Sequence, residues 1–81
     1  MIQYRLHNFE FDSALWAEKL NECDHATIEA VRELSGLSKS AFWHWLMNRY
    51  PAGINYPNMT NFLAICNLLD LNPAVFFKLE N

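Results

Sequence analysis

The residues best equipped for chemistry lie together in one short stretch: Ser38, Lys39, Ser40, Trp43, His44, Met47, Asn48 and Arg49. Hydroxyls, an ammonium, an imidazole, an amide and a guanidinium suit anions and hydrogen-bonding edges. Trp43 and Met47 add apolar contact. These groups bind rather than make or break bonds. The chain has no Gly-rich phosphate loop and no nucleophile motif. His7, His25 and His44 are dispersed, and neither Cys23 nor Cys66 is expected to share a helix face with a histidine. No zinc spacing results, and no metal or cofactor is expected. Asp24-His25 sits in a polar break and reads as a turn rather than half of a catalytic dyad. An enzyme is not expected.

The elements that must position these groups are helices. Gly36 ends one apolar-periodic segment by supplying a left-handed backbone, and Ser38 offers a hydroxyl to cap the next. Two short helices joined by a tight glycine-bearing turn form a helix-turn-helix, whose second helix can enter a DNA major groove. In the helix expected from Ser38 to Asn48, a 100° step puts Ala41, Phe42 and Trp45 on the buried face. Lys39, Ser40, Trp43, His44 and Met47 fall on the opposite face, with Leu46 at the border. An alternative has Tyr50, Pro51 and Tyr56 covering Trp43 as ordinary core.

Before this unit, Asp12 or Ser13 caps a first helix that runs to about Glu22, with Leu15, Trp16 and Leu20 as its stripe. After the break Asp24-His25-Ala26-Thr27, Thr27 caps the second helix, placing Ile28, Val31 and Leu34 at helical spacing and Glu29 in its first turn. Tyr50-Pro51, Gly53 and Tyr56-Pro57 mark a loop from Asn48 to Pro57. Pro57 or Asn58 starts a fourth helix with a wide apolar arc, Met59, Phe62, Leu63, Ile65, Cys66 and Leu69. Asn72-Pro73 opens a short final helix carrying Val75, Phe76 and Phe77.

At the other end, Ile2 to Leu6 and Phe9-Glu10-Phe11 alternate apolar and polar. They read as a short strand whose partner is a second subunit, as an arm, or as a segment whose Phe9 and Phe11 tuck under the first helix. The expected fold class is all-α. It is a compact bundle of about five short helices in residues 12–81, with a strand or arm in residues 1–11.

Composition sets the outer bounds. With 81 residues, 52% of them hydrophobic and 15% aromatic, the chain makes one small folded domain. No apolar run is long enough to cross a membrane. The N-terminus does not resemble a secretion signal and the cysteines form no close-spaced motif, so reduced thiols and a cytoplasmic location are expected. The net charge of −3 opposes a strong general attraction to nucleic acid. Its distribution is uneven, because no Asp or Glu occurs from Leu34 to Leu69, a window that holds Lys39, His44 and Arg49.

The chain resembles the lambda-repressor-like, or Cro/repressor-type, helix-turn-helix family over roughly Leu15 to Phe77. Thr27 stands nine residues before Gly36, as a Thr or Ser does in that family. Leu37-Ser38 follows the glycine in the family manner, and Val31, Leu37, Phe42 and Trp45 match its buried positions. Pro57 to Pro73 resembles the family's Pro-led helix ending in a leucine, followed by a turn and a short helix. At a position where the family usually has a small residue, this chain has Arg32, expected to lay its stem along the surface with its head in solvent. The loop after the third helix is longer than is common in the family. The display face is poor in Arg, Gln and Asn, the usual base-edge readers.

The resemblance implies a bacterial or phage transcription regulator that binds specific double-stranded DNA as a homodimer. It implies that Ser38, Lys39, Ser40, Trp43, His44 and Met47 face the DNA, Ser38 and Ser40 beside a phosphate or base edge. Thr27, Asn48, Arg49 and Tyr50 are then clamps on the backbone, and Trp43 and Met47 are contacts for thymine methyl groups. The strand-like arm, Leu68 and the Phe76-Phe77 end are the expected dimer surfaces. The alternative is a protein-interaction module on the same scaffold, using the Trp43-Met47 patch to hold a regulatory protein partner.

Overall fold

The computed structural model describes residues 9–79, in the order β1 (Phe9–Phe11), α1 (Ser13–Asn21), α2 (His25–Ser35), α3 (Lys39–Leu46), α4 (Met59–Leu69), a 3₁₀ turn (Pro73–Phe76) and β2 (Phe77–Leu79). Among the described residues the architecture is mainly helical, with four helices rather than five and a two-stranded sheet. Among the described residues, no helix is long and apolar enough to cross a membrane.

Each helix starts where a short polar side chain can accept a backbone N–H that the helix leaves unpaired. Asp12 accepts from Leu15, Ser38 from Ala41 and Asn58 from Asn61, at 3.1, 3.2 and 2.8 Å. The second helix corrects the sequence reading. Its cap is Asp24, which accepts the Thr27 N–H at 2.8 Å, and the helix already runs at His25. With the Asp24 carboxylate taking this N–H, Thr27 lies inside the first turn and Glu29 lies beyond it.

Helices α2, α3 and α4 also stop by a common device, a residue in the left-handed region. Gly36, Asn48 and Asp70 adopt φ of 73°, 56° and 56°. After α3, Asn48 N–H donates to Trp45 O and Arg49 N–H to His44 O, closing a Schellman motif. This ends α3 at Leu46, earlier than the expected Asn48. Asp70 and Leu71 repeat the pattern on Asn67 and Cys66. At the end of α2, Gly36 N–H donates to Glu33 O, but the second bond passes through a side chain. Leu37 N–H donates to Ser35 Oγ at 3.1 Å, and the Ser35 hydroxyl donates to Arg32 O.

The final apolar segment departs from the expected helix. Asn72 Oδ1 accepts from Ala74 and Pro73 follows it, in keeping with the expected start, but only one 3₁₀ turn forms. Phe77-Lys78-Leu79 then pairs antiparallel with β1 in the register Phe9↔Leu79, Glu10↔Lys78, Phe11↔Phe77. The partner of the N-terminal strand is therefore the chain's own C-terminal segment rather than a second subunit. Opposite charges face each other at Glu10 and Lys78, which are exposed, while the Phe11 and Phe77 rings approach to 5.7 Å on the inner side. Asp12 N–H donates to Phe76 O at 2.6 Å and ties the ribbon to the start of α1. The strand expected over Ile2 to Leu6 lies outside the described residues.

The core is largely aromatic. Trp16 is fully buried and touches Phe11, Trp45, Phe62 and Phe76 with ring centroids 5.2–6.0 Å apart. Large rings let so short a chain bury substantial apolar area from few positions. Phe42, Trp45, Val31, Leu20, Ile65 and Cys66 complete the cluster. Phe76 is buried and Phe77 half-buried within this packing, so the expected dimer surface at Phe76-Phe77 is internal; Leu68 is exposed. Helix α1 packs on α3 and α2 on α4, which fixes α3 from behind.

Candidate functional site

Helix α3 is held at both ends and along one side. Ser38 caps its N-terminus, and Asn21 of α1 donates to Leu46 O at 2.9 Å near its C-terminus. Phe42 and Trp45 are buried beneath it. The Trp45 indole N–H donates to Asn55 O at 3.0 Å, so the long loop after α3 is hung from the core side of the helix. The turn before α3 is braced by Arg32. Its Nη1 donates to Leu37 O at 3.1 Å, and its Nε lies 3.4 Å from Glu29 Oε1. Arg32 is thus half-buried with its guanidinium over the turn, not held free in solvent as expected. Where a small residue would permit close approach, a long side chain spans the gap and satisfies a turn carbonyl. From α4, Asn61 donates to Ser35 O at 3.2 Å and pins the same turn from the other side.

With its back fixed, α3 turns the remaining side chains outward. Ser38, Lys39, Ser40, Trp43 and Met47 are exposed, as are Asn48 and Arg49 just beyond the helix. Trp43 is 46% and Met47 45% exposed. Tyr50 does not cover Trp43; its ring packs on Tyr56 at 4.4 Å, and Tyr56 continues to Phe11 at 5.3 Å. Burial first, and the neighbouring Tyr56 second, push the Tyr50 hydroxyl up to about 12. That hydroxyl is enclosed without a hydrogen-bond partner among the described residues, so Tyr50 does not stand on the outward face as a clamp.

Two further residues differ in accessibility from the rest of the face. His44 is half-buried, its ring edge-on to Trp43 at 5.3 Å. Its Nδ1 is enclosed without a partner among the described residues, which leaves only Nε2 for an external group. Thr27 is half-buried at the start of α2, and its backbone N–H is already used by Asp24. The Thr27 side chain and backbone N–H together hold the Asp24 carboxyl below its usual range.

Sequence reasoning missed the contribution of α2 to this surface. Ile28, Glu29 and Arg32 join Lys39, Phe42 and Trp43 around a shallow depression of ≈ 180 Å³. Helical spacing puts 28, 29 and 32 near one another, but only the α2–α3 packing brings them beside Trp43. Glu29 is the carboxylate nearest this surface in that set, and the Arg32 guanidinium pairs with it. Among the described residues Lys39 and Arg49 form no ion pair, whereas Lys19 pairs with Glu22 and Arg32 with Glu29.

A second cleft of ≈ 250 Å³ lies behind the start of α3, between the Ser35–Leu37 turn, the 53–58 loop and Asn61. The loop that is long for the family resemblance forms one wall of it. Neither thiol is suited to attack: burial pushes Cys66 up, and burial followed by the Asp24 and Glu22 carboxylates pushes Cys23 up.

The face therefore offers hydroxyls and a cation at the N-terminal end of α3, an apolar pair at its middle, and an amide and a guanidinium past its C-terminal end. Compared with known proteins, the chain matches no family model, no curated protein and no solved structure.

Proposed function

We propose that this chain is a sequence-specific DNA-binding transcriptional regulator of the lambda-repressor-like kind, bacterial or phage, acting as a homodimer with α3 in the major groove. The observation that carries the reading is the outward face of α3. It hangs from a capped, tight turn after α2 and presents Lys39, Ser40, Trp43, Met47 and Arg49 to solvent. No carboxylate lies between Leu34 and Leu69, and Glu29, which α2 brings beside Lys39 and Trp43, is paired with Arg32, so repulsion of phosphate at this face of a net-negative chain is reduced. Lys39 and Arg49 neutralise phosphates, Ser38 and Ser40 bond to phosphate or a base edge, and the apolar pair meets the groove floor. Two cations per chain are few for a monomer, and two-fold pairing doubles them on a palindromic site.

A selection from random duplex DNA, repeated at low and moderate salt, tests this reading. An enriched palindrome supports it, and failure to retain any duplex at low salt refutes it. With the selected duplex, Lys39→Ala and Arg49→Ala each reduce the slope of log affinity against log salt by about 1 for each phosphate left without its cation. The exposed Trp43-Met47 pair favours one other reading, a module that grips a regulatory protein through the same face. That reading gains if no duplex is retained while a defined protein partner protects Trp43 from solvent.

A further inference from the structure

The cleft behind the start of α3 has a volume of ≈ 250 Å³, and no Lys, Arg, His, Asp or Glu lines it. Leu37, Trp45 and Ile54 give it apolar surface, and the side-chain amides of Asn55, Asn58 and Asn61 give it polar groups. Its walls are fixed by hydrogen bonds. Asn61 Nδ2 donates to Ser35 O at 3.2 Å, and Asn58 Oδ1 accepts the Asn61 N–H at 2.8 Å. The Trp45 indole donates to Asn55 O at 3.0 Å. Within the loop, Ile54 N–H donates to Pro51 O at 3.0 Å across Gly53, whose φ is 92°. These bonds use only part of what the three amides offer. Asn61 Oδ1, the Asn58 amino group and the whole Asn55 side-chain amide have no partner among the described residues. The cleft thus offers N–H donors and carbonyl acceptors without charge. A carboxamide complements both, accepting through its oxygen and donating through its nitrogen. A carboxylate or an amidinium finds no counter-ion there and loses hydration on entry. The volume falls below the roughly 300–1,000 Å³ of sites for drug-sized ligands, so the apolar body that fits is about one ring.

We propose that this cleft binds a small uncharged ligand bearing a carboxamide on a single apolar ring, the ring against Leu37, Trp45 and Ile54 and the amide among Asn55, Asn58 and Asn61. The site shares no lining residue with the outward face of α3, so it stands apart from the DNA-binding reading above. Walls already held by their own bonds lose little freedom when a ligand enters. A bound ligand bridges the turn and α3 on one side to the 53–58 loop and α4 on the other, and so stabilises the folded chain as its occupancy rises.

The test is an NMR titration of the intact, isotope-labelled chain at neutral pH with benzamide, benzoate and benzamidine, which share one shape and carry no charge, a negative charge and a positive charge. Benzamide is expected to shift the Trp45 indole N–H and the Asn55 and Asn61 side-chain amide signals saturably, and the two charged compounds to bind at least about tenfold more weakly. Asn55→Ala removes a lining amide but keeps the backbone carbonyl that holds Trp45, and weakens benzamide by about fivefold, the worth of one neutral hydrogen bond. Ala41→Leu fills the cleft from the α3 side and abolishes binding. Asn55 is exposed, so its variant carries the test if Ala41→Leu does not fold. No saturable shift with benzamide, or shifts confined to residues outside the cleft, overturns the proposal. Equal binding of all three compounds overturns the uncharged-amide assignment. Undiminished binding in Asn55→Ala, or in folded Ala41→Leu, overturns the location.

Discussion

Replacing Gly36 by Ala tests whether the turn before α3 is set by backbone conformation or by packing. Gly36 has φ 73°, in the left-handed region. A Cβ built there meets nothing within 4 Å, so the substitution brings no steric clash. The remaining cost is the left-handed backbone itself, about 1–2 kcal/mol for an L-residue with a side chain. The lower entropy of an unfolded chain carrying Ala offsets about 0.4–1 kcal/mol of that. The expected net loss is about 1 kcal/mol, or a Tm lower by about 4–8 °C for a domain of this size. Asp70 supplies the reciprocal case, since its φ of 56° is adopted by a residue with a side chain. Asp70→Gly removes a smaller strain, because Asp tolerates the left-handed region better than Ala, and stability changes by less than about 0.5 kcal/mol after glycine's larger unfolded entropy is counted. Urea denaturation of both variants, with unchanged m-values, measures the two effects in one framework. A loss above about 3 kcal/mol in Gly36→Ala, or no loss at all, would refute the reasoning. The first means that Cβ meets atoms the open space excludes, and the second that the left-handed turn is not needed.

Three other outcomes follow from the hydrogen bonds and burial. Ser35→Ala strips the hydroxyl that accepts from Leu37 N–H and donates to Arg32 O, and is expected to cost about 1–3 kcal/mol in urea unfolding, because a half-buried N–H is left without its partner. Tyr50→Phe removes a hydroxyl that has no partner among the described residues, so stability at neutral pH should change by less than about 1 kcal/mol, read by thermal unfolding. The pH dependence of Tyr50 has a definite sign. The unfolded phenol ionises near 10.0 and the folded one near about 12, so its contribution is complete below pH 10 and is lost as pH rises through that window. Phenolate absorbance at successive pH values checks this, and Tyr50→Phe removes that share of the alkaline loss.

Much of the local structure is legible in the residues because its causes are local. Gly36 before Leu37-Ser38 dictates a left-handed stop and a hydroxyl cap, and both are present. The 100° pattern of α3 separates Phe42 and Trp45 from Lys39, Ser40, Trp43 and Met47, and burial divides them the same way. The second cap departs from its expected residue where two capping side chains compete, since Asp24 and Thr27 both suit that role and only the chain path selects one.

What tertiary structure alone decided concerns partners distant in sequence. Phe9-Glu10-Phe11 declares a strand by alternation, but a strand's partner is chosen by whichever edge the fold brings near; here that edge is Phe77–Leu79, which takes the place of the expected C-terminal helix. Arg32 reads by sequence as a solvent-directed substitute for a small residue, whereas the turn places the Leu37 carbonyl within its reach. Tyr50 and Trp43 are interchangeable by composition, and the packing of Tyr50 on Tyr56 leaves Trp43 outside. Caps, stops and helix faces depend on dihedral preference and periodicity within a few residues. Strand pairing, carbonyl capture and the exposure of a single indole depend on contacts that exist only once the aromatic core has closed.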